Sequence, residues 1–99
     1  MKRLYISGPM TGLPDSNFSA FNEAARTVRG LGYYVVNPVD INPDPTTPWE
    51  MCLRADLKAL CDCDGVVLLP GWQNSKGAQL ELHVAHRLGM SIHFIETLK

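Results

Sequence analysis

Residues 62–85 read DCDGVVLLPGWQNSKGAQLELHVA. Gly65 Val66 Val67 Leu68 Leu69 is a short apolar run with the length and β-branched content of a strand buried on both faces. Pro70, Gly71, Asn74, Ser75 and Gly77 then break regular structure, and an amphipathic pattern begins in which Leu80, Val84 and Leu88 share one helical face. Strand, loop and helix in that order put the loop at a strand's carboxyl end, where open α/β sheets bind ligands. Glu81 sits just inside the helix, behind Ser75 and Gly77. A carboxylate there is either a solvated residue helped by the helix dipole or part of a site, and the small Gly77 and Ala78 beside it leave room for a ligand.

The same alternation extends outward in both directions. Arg3 to Ser7 reads as the first strand, followed by a loop in which Gly8, Pro9, Gly12 and Pro14 exclude helix and strand. Phe18, Phe21, Ala24, Ala25, Val28 and Leu31 follow helical spacing, with Asn17 placed to cap the start and Gly30 or Gly32 the end. Tyr33 to Asn37 is the second strand. Pro38 to Pro48 carries four prolines and three Asp/Asn residues, which predicts an irregular crossing that covers a site as a lid. The helix from Trp49 to Leu60 presents Trp49, Leu53, Leu57 and Leu60 on one face, with Thr47 and Glu50 at capping-box spacing and Pro48 in the first turn. After the helix from Ser75 to Leu88, Gly89 terminates and Met90 to Ile95 is the fourth strand. The expectation is an α/β three-layer sandwich of flavodoxin or Rossmann type, one domain over residues 1–99, with a four-stranded parallel sheet in the order 2-1-3-4. The loops after strands 1 and 3 then meet at the ligand crevice.

Composition narrows the class. An apolar fraction of 45 % is ordinary for a globular domain, and nine scattered basic residues with a net charge of −1 form no stripe for a nucleic-acid polymer or a membrane surface. The opening MKRLYISG runs directly into a strand, so neither a signal peptide nor a spanning helix of ~20 apolar residues is expected, and the protein is expected in the cytoplasm. Cys52, Cys61 and Cys63 lack a metal-ligand spacing and read as reduced thiols. His83 and His86 lie three apart on a helix without a second ligand cluster, so no metal is expected. Neither GxGxxG nor GxxxxGK[ST] occurs, and no cofactor is expected. Asp56 is either exposed and paired with Arg54 or Lys58, or functional. Tyr5 is either core packing or functional, and its phenol needs a partner in both cases. Trp49 and Trp72, at loop junctions, either stack on a flat base or close the core.

YISGPMTG, RADLKAL, CDGVVLLPGW and NSKGAQLELHVAHRLG, in that order, together resemble the nucleoside 2-deoxyribosyltransferase superfamily, which includes the 2'-deoxynucleoside 5'-monophosphate N-glycosidases. More closely, the chain resembles small phage and bacterial proteins of unknown function at the edge of that superfamily. The resemblance implies that Glu81 is the nucleophile that attacks the anomeric carbon, that Tyr5 orients it, and that Asp56 assists sugar binding and departure of the base. It implies that Ser75 contacts the 5' end of the sugar, as the phosphate-binding serine of the monophosphate hydrolases does, and that Gly77 brings backbone N–H groups close to it. Gly8, Pro9 and Met10, in the loop after strand 1, are expected to touch the substrate. That loop departs from the hydrolase pattern: Pro9 and Thr11 stand where those enzymes carry a serine and an arginine, which removes a bidentate phosphate contact. The implied function is cleavage of the N-glycosidic bond of a nucleoside or its 5'-monophosphate through a covalent glycosyl-Glu intermediate, with Tyr5 and the helix N-terminus keeping Glu81 ionised. The implied partners are a small nucleoside or nucleotide and further copies of the chain, in a homodimer or larger homo-oligomer. A nucleotide-binding module that has lost catalysis is the alternative.

Overall fold

A computed structural model describes residues 2–99. Four strands, β1 (Arg3–Ser7), β2 (Tyr34–Val36), β3 (Gly65–Leu68) and β4 (Ser91–Phe94), form one parallel sheet in the order β2-β1-β3-β4. The order follows from the apolar runs. Tyr5, Ile6, Val66, Val67 and Leu68 are fully buried, and only central strands are covered on both faces. Four α-helices connect the strands: α1 (Phe18–Gly30), α2 (Pro38–Ile41), α3 (Trp49–Cys61) and α4 (Lys76–Arg87).

Side-chain parity along β1 divides the interior in two. Leu4 and Ile6 pack with Phe21, Ala24 and Val28 of α1 on one face of the sheet. Tyr5 leaves the opposite face, among Leu60 of α3, Cys63, Val66, Leu68 and Ala85 of α4. Ser7, two residues after Tyr5, points the same way and is fully buried. At the end of β1 the chain turns through Gly8, where a Cβ would come within 2.8 Å of the Leu69 Cβ. No larger residue fits there, and this close approach brings the loops after β1 and β3 together.

Several local expectations are corrected. The crossing after β2 is not wholly irregular, since Asn37 caps the short α2 by accepting from the Val39 N–H at 3.1 Å and Pro38 occupies its first turn. Thr47 does not cap α3: the cap position is Pro48, without a side-chain bond, and the Thr47 carbonyl accepts from the Cys52 thiol. Asn17 stands at the start of α1 in a left-handed conformation, φ 61°, and its amide donates to the Pro9 carbonyl at 2.9 Å instead of capping. The largest difference is the face of α4. Of the expected stripe only Val84 packs against the core; Leu80 and Leu88 are 38 % and 57 % exposed, while Ala78, Glu81 and Ala85 are buried. Small alanines let α4 approach the sheet closely, and the hydroxyls of Tyr5 and Ser7 make a polar spot there that a leucine could not satisfy.

Candidate active site

The loops after β1 and β3, the start of α4, the inner face of α3 and the segment from Pro38 to Thr47 enclose a cavity of about 350 Å³. That volume lies in the range of small-molecule sites, roughly 300–1,000 Å³. Tyr5, Asp56 and Glu81 all line it, with Gly8, Met10, Ser75 and Gly77. Its apolar wall includes Phe18, Phe21, Leu53 and Trp49.

Glu81 lies at the cavity's inner end and is 5 % exposed, so it is no solvated helix residue. The Tyr5 hydroxyl donates to its Oε2 at 2.5 Å, and the Ser7 hydroxyl donates to its Oε1 at 2.7 Å. Each carboxylate oxygen therefore has one hydroxyl from the neighbouring strand. Burial nevertheless outweighs both bonds and pushes the carboxyl from 4.5 up to about 7, with the charge of Asp56 adding to the rise. This corrects the expectation that Tyr5 and the helix N-terminus keep Glu81 fully ionised. The same burial, followed by the charge of Glu81, raises the Tyr5 phenol well above its ordinary value, so it remains a donor.

Asp56 reaches the cavity from the middle of α3 and pairs with neither Arg54 nor Lys58. Its Oδ1 accepts from the Asn42 amide at 2.9 Å. Burial raises this carboxyl from 3.8 to about 6, against the Asn42 and Tyr5 groups that favour its charged form. Two carboxyls with values near neutrality thus share one hollow with a phenol between their influences, the kind of arrangement from which acid and base roles are built.

Ser75 is both a helix cap and a cavity residue: its Oγ accepts from the Ala78 N–H at 3.2 Å, which leaves its own proton for another acceptor. At Gly77 a Cβ would find the Trp49 Nε1 at 3.9 Å and nothing nearer, so the protein's packing alone does not require a glycine there. Pro9 is absent from the cavity wall; its ring lies against Gly71 and its carbonyl holds Asn17. Trp72 packs on Phe94, ring centroids 6.3 Å apart, and is not in the wall either. Two hydrogen-bond partners of the carboxyls were not among the candidates drawn from the sequence. Ser7 was legible in principle from its parity with Tyr5, whereas nothing in the sequence signals that Asn42 meets Asp56. Among the described residues no group of three metal-ligating side chains occurs, and no helix is long and apolar enough to cross a membrane.

The sequence family DUF4406, a domain of unknown function, matches residues 2–94. No curated protein matches the chain. Among solved structures, the chain is similar to a 2-desoxiribosyltransferase from Leishmania mexicana, with a TM-score of 0.72 and 21 % identity over 95 % of this chain and 63 % of that one. It is also similar to a 2-deoxyribosyltransferase from the psychrotolerant bacterium Bacillus psychrosaccharolyticus, with a TM-score of 0.70 and 18 % identity over 93 % of this chain and 70 % of that one. These likenesses show the deoxyribosyltransferase fold. The chain spans just under two thirds of the length of the Leishmania protein.

Proposed function

The chain belongs to the DUF4406 family, and from that premise and the geometry of the cavity we propose that it cleaves the N-glycosidic bond of a nucleoside through a covalent glycosyl-Glu81 intermediate. One observation carries the reading: a buried carboxylate at the inner end of a ligand-sized cavity, held by hydroxyls on both oxygens and sharing the hollow with Asp56. A Glu81 oxygen attacks the anomeric carbon as the carbon–nitrogen bond breaks, and the bonding electrons leave with the base nitrogen. Asp56, raised to about 6, supplies the proton that nitrogen takes. Water or a second base then attacks the same carbon from the vacated side, gives up its proton to the Asp56 carboxylate and restores the Glu81 carboxylate, so configuration is retained over the two steps.

The charged side chains in the wall are Asp44, Asp56 and Glu81; no Arg, Lys or His joins them among the described residues. A dianionic 5'-phosphate would enter that field without a counter-charge, which favours an unphosphorylated nucleoside, with the Ser75 hydroxyl donating to its 5' oxygen. The deciding experiment is incubation with mixed deoxynucleosides and their monophosphates, followed by chromatography of free bases. Bases should appear from the nucleosides; none from either class rejects the assignment. A second reading, a binding module without turnover, is favoured by the rise of Glu81 to about 7, which leaves it only partly ionised at neutrality. An intact binding isotherm with no base released selects it. We further place the protein in the cytosol, where its three free cysteines stay reduced, and assign it a homo-oligomeric state.

A further inference from the structure

Glu81 is held by two hydroxyls from one strand, and they are not equivalent. Both residues are fully buried, but Tyr5, which donates to Oε2, lines the cavity, whereas Ser7, which donates to Oε1, does not. Oε1 is thus bonded to a hydroxyl behind the wall and Oε2 to one that belongs to it. Ser7 itself is anchored, since its carbonyl accepts from the Leu69 N–H at 2.8 Å and it pairs with Leu68 of β3.

We propose that Ser7 is a positioning residue for glycosyl transfer: its hydroxyl holds Oε1 inside the protein, so that Oε2 is the oxygen presented to the anomeric carbon. This rests on the reading of Glu81 as nucleophile. In the first step an Oε2 lone pair forms the bond to carbon as the carbon–nitrogen bond breaks. The electron pair goes to the base nitrogen, which takes the Asp56 proton. Oε1 becomes the carbonyl oxygen of the glycosyl ester and keeps the Ser7 hydrogen bond throughout. In the second step water or a base, losing its proton to the Asp56 carboxylate, displaces the Glu81 carboxylate, negative charge returns to Glu81, and the bond from Ser7 strengthens as it does. Ser7 thus favours departure of the sugar as well as aiming the attack. A serine that merely filled space would do neither.

Ser7→Ala and the near-isosteric Ser7→Cys test this, the second keeping the volume while weakening the donor. The titratable groups that face Glu81 are Tyr5 from β1 and Asp56 from α3, and neither variant changes them. The first readout is infrared difference titration of the Glu81 carboxyl in protein carrying isotope-labelled glutamate, with Glu81→Gln identifying the band. Removing one hydrogen bond to a buried carboxylate should move its midpoint up by about one pH unit in Ser7→Ala and by less in Ser7→Cys. The second readout is base release, where the alkaline inflection of kcat/KM, set by Glu81 as the higher of the two values, should move up by the same amount and kcat should fall about tenfold or more, with KM within about twofold. Coincident titrations in variant and parent, at unchanged melting temperature, overturn the proposal. So does a shifted titration with unchanged kcat. A parent protein that releases no base from any nucleoside defeats the glycosidase reading and the attack with it, while the infrared arm still reports separately whether Ser7 holds the carboxylate.

Discussion

Glu81→Gln should make the protein more stable in mildly alkaline solution and not in acid. The carboxyl is raised from 4.5 to about 7 on folding, chiefly by burial. A group raised in this way contributes its full stability below its unfolded value, and that contribution is lost as pH climbs through the folded one. The rise corresponds to about 3 kcal/mol at full development, most of it appearing between pH 5 and pH 8. Glutamine has nearly the same shape and no charge to desolvate. Its one carbonyl oxygen satisfies only one of the two hydroxyls that now donate to Glu81, and the mismatch at the other costs about 1 kcal/mol at every pH. The variant should therefore match the parent or fall about 1 kcal/mol below it near pH 5, and exceed it by about 2 kcal/mol near pH 8.5. Urea unfolding of both chains at the two pH values measures this, with equal slopes confirming that only stability has changed. A stability difference that stays constant across that range refutes the burial argument, because it would mean the carboxyl titrates alike in the folded and unfolded chains.

Gly77→Ala should raise the melting temperature, since alanine in a helix is favoured over glycine by up to about 1 kcal/mol and its Cβ meets only the Trp49 Nε1 at 3.9 Å. The same methyl group intrudes on the cavity, so nucleoside affinity should fall about tenfold by calorimetry; unchanged affinity would place the ligand elsewhere. The kcat/KM profile should be bell-shaped with its maximum between pH 6 and 7, because Glu81 near 7 must be ionised while Asp56 near 6 is protonated. A plateau extending to pH 9 removes Asp56 as the acid. Nucleoside binding should quench tryptophan emission in Trp72→Phe and leave it nearly unchanged in Trp49→Phe, since only Trp49 lines the cavity. Equal quenching in both variants contradicts that placement.

Parallel architecture was legible because its signals are periodic and local. Val66, Val67 and Leu68 form an uninterrupted apolar run that only a strand covered on both faces accommodates, and β1 and β3 lie at the sheet's centre as that pattern requires. The buried face of α4 was not legible from hydrophobicity, because the wrong stripe is the more apolar one. Leu80 and Leu88 lie outside while Val84, the third member of that stripe, packs against the core beside Leu82, and the buried positions are two alanines and a carboxylate whose partners come from a strand more than 70 residues earlier. A buried charge is attractive only where donors await it, and a one-dimensional pattern does not show donors. Tyr5 and Glu81 could be named from the family likeness, and their hydrogen bond, together with that of Ser7, links β1 to α4. Ser7 could have been added by strand parity alone. Asn42 could not, because its meeting with Asp56 depends on the path from α2 to α3, in which Asp44 and Thr46 form a local turn of their own.

The most direct test of the account is base release by the parent chain and by Glu81→Gln at pH 6.5, from deoxynucleosides under single-turnover conditions, with mass spectrometry of the quenched protein. The parent should release free base and carry the mass of one deoxyribosyl group on the peptide containing Glu81. The glutamine variant should remain folded, bind the nucleoside, and release base at least about a thousandfold more slowly, as expected when a nucleophile is removed. Equal rates in the two proteins, or base release with the sugar attached at another residue, would contradict the claim that Glu81 is the group that attacks.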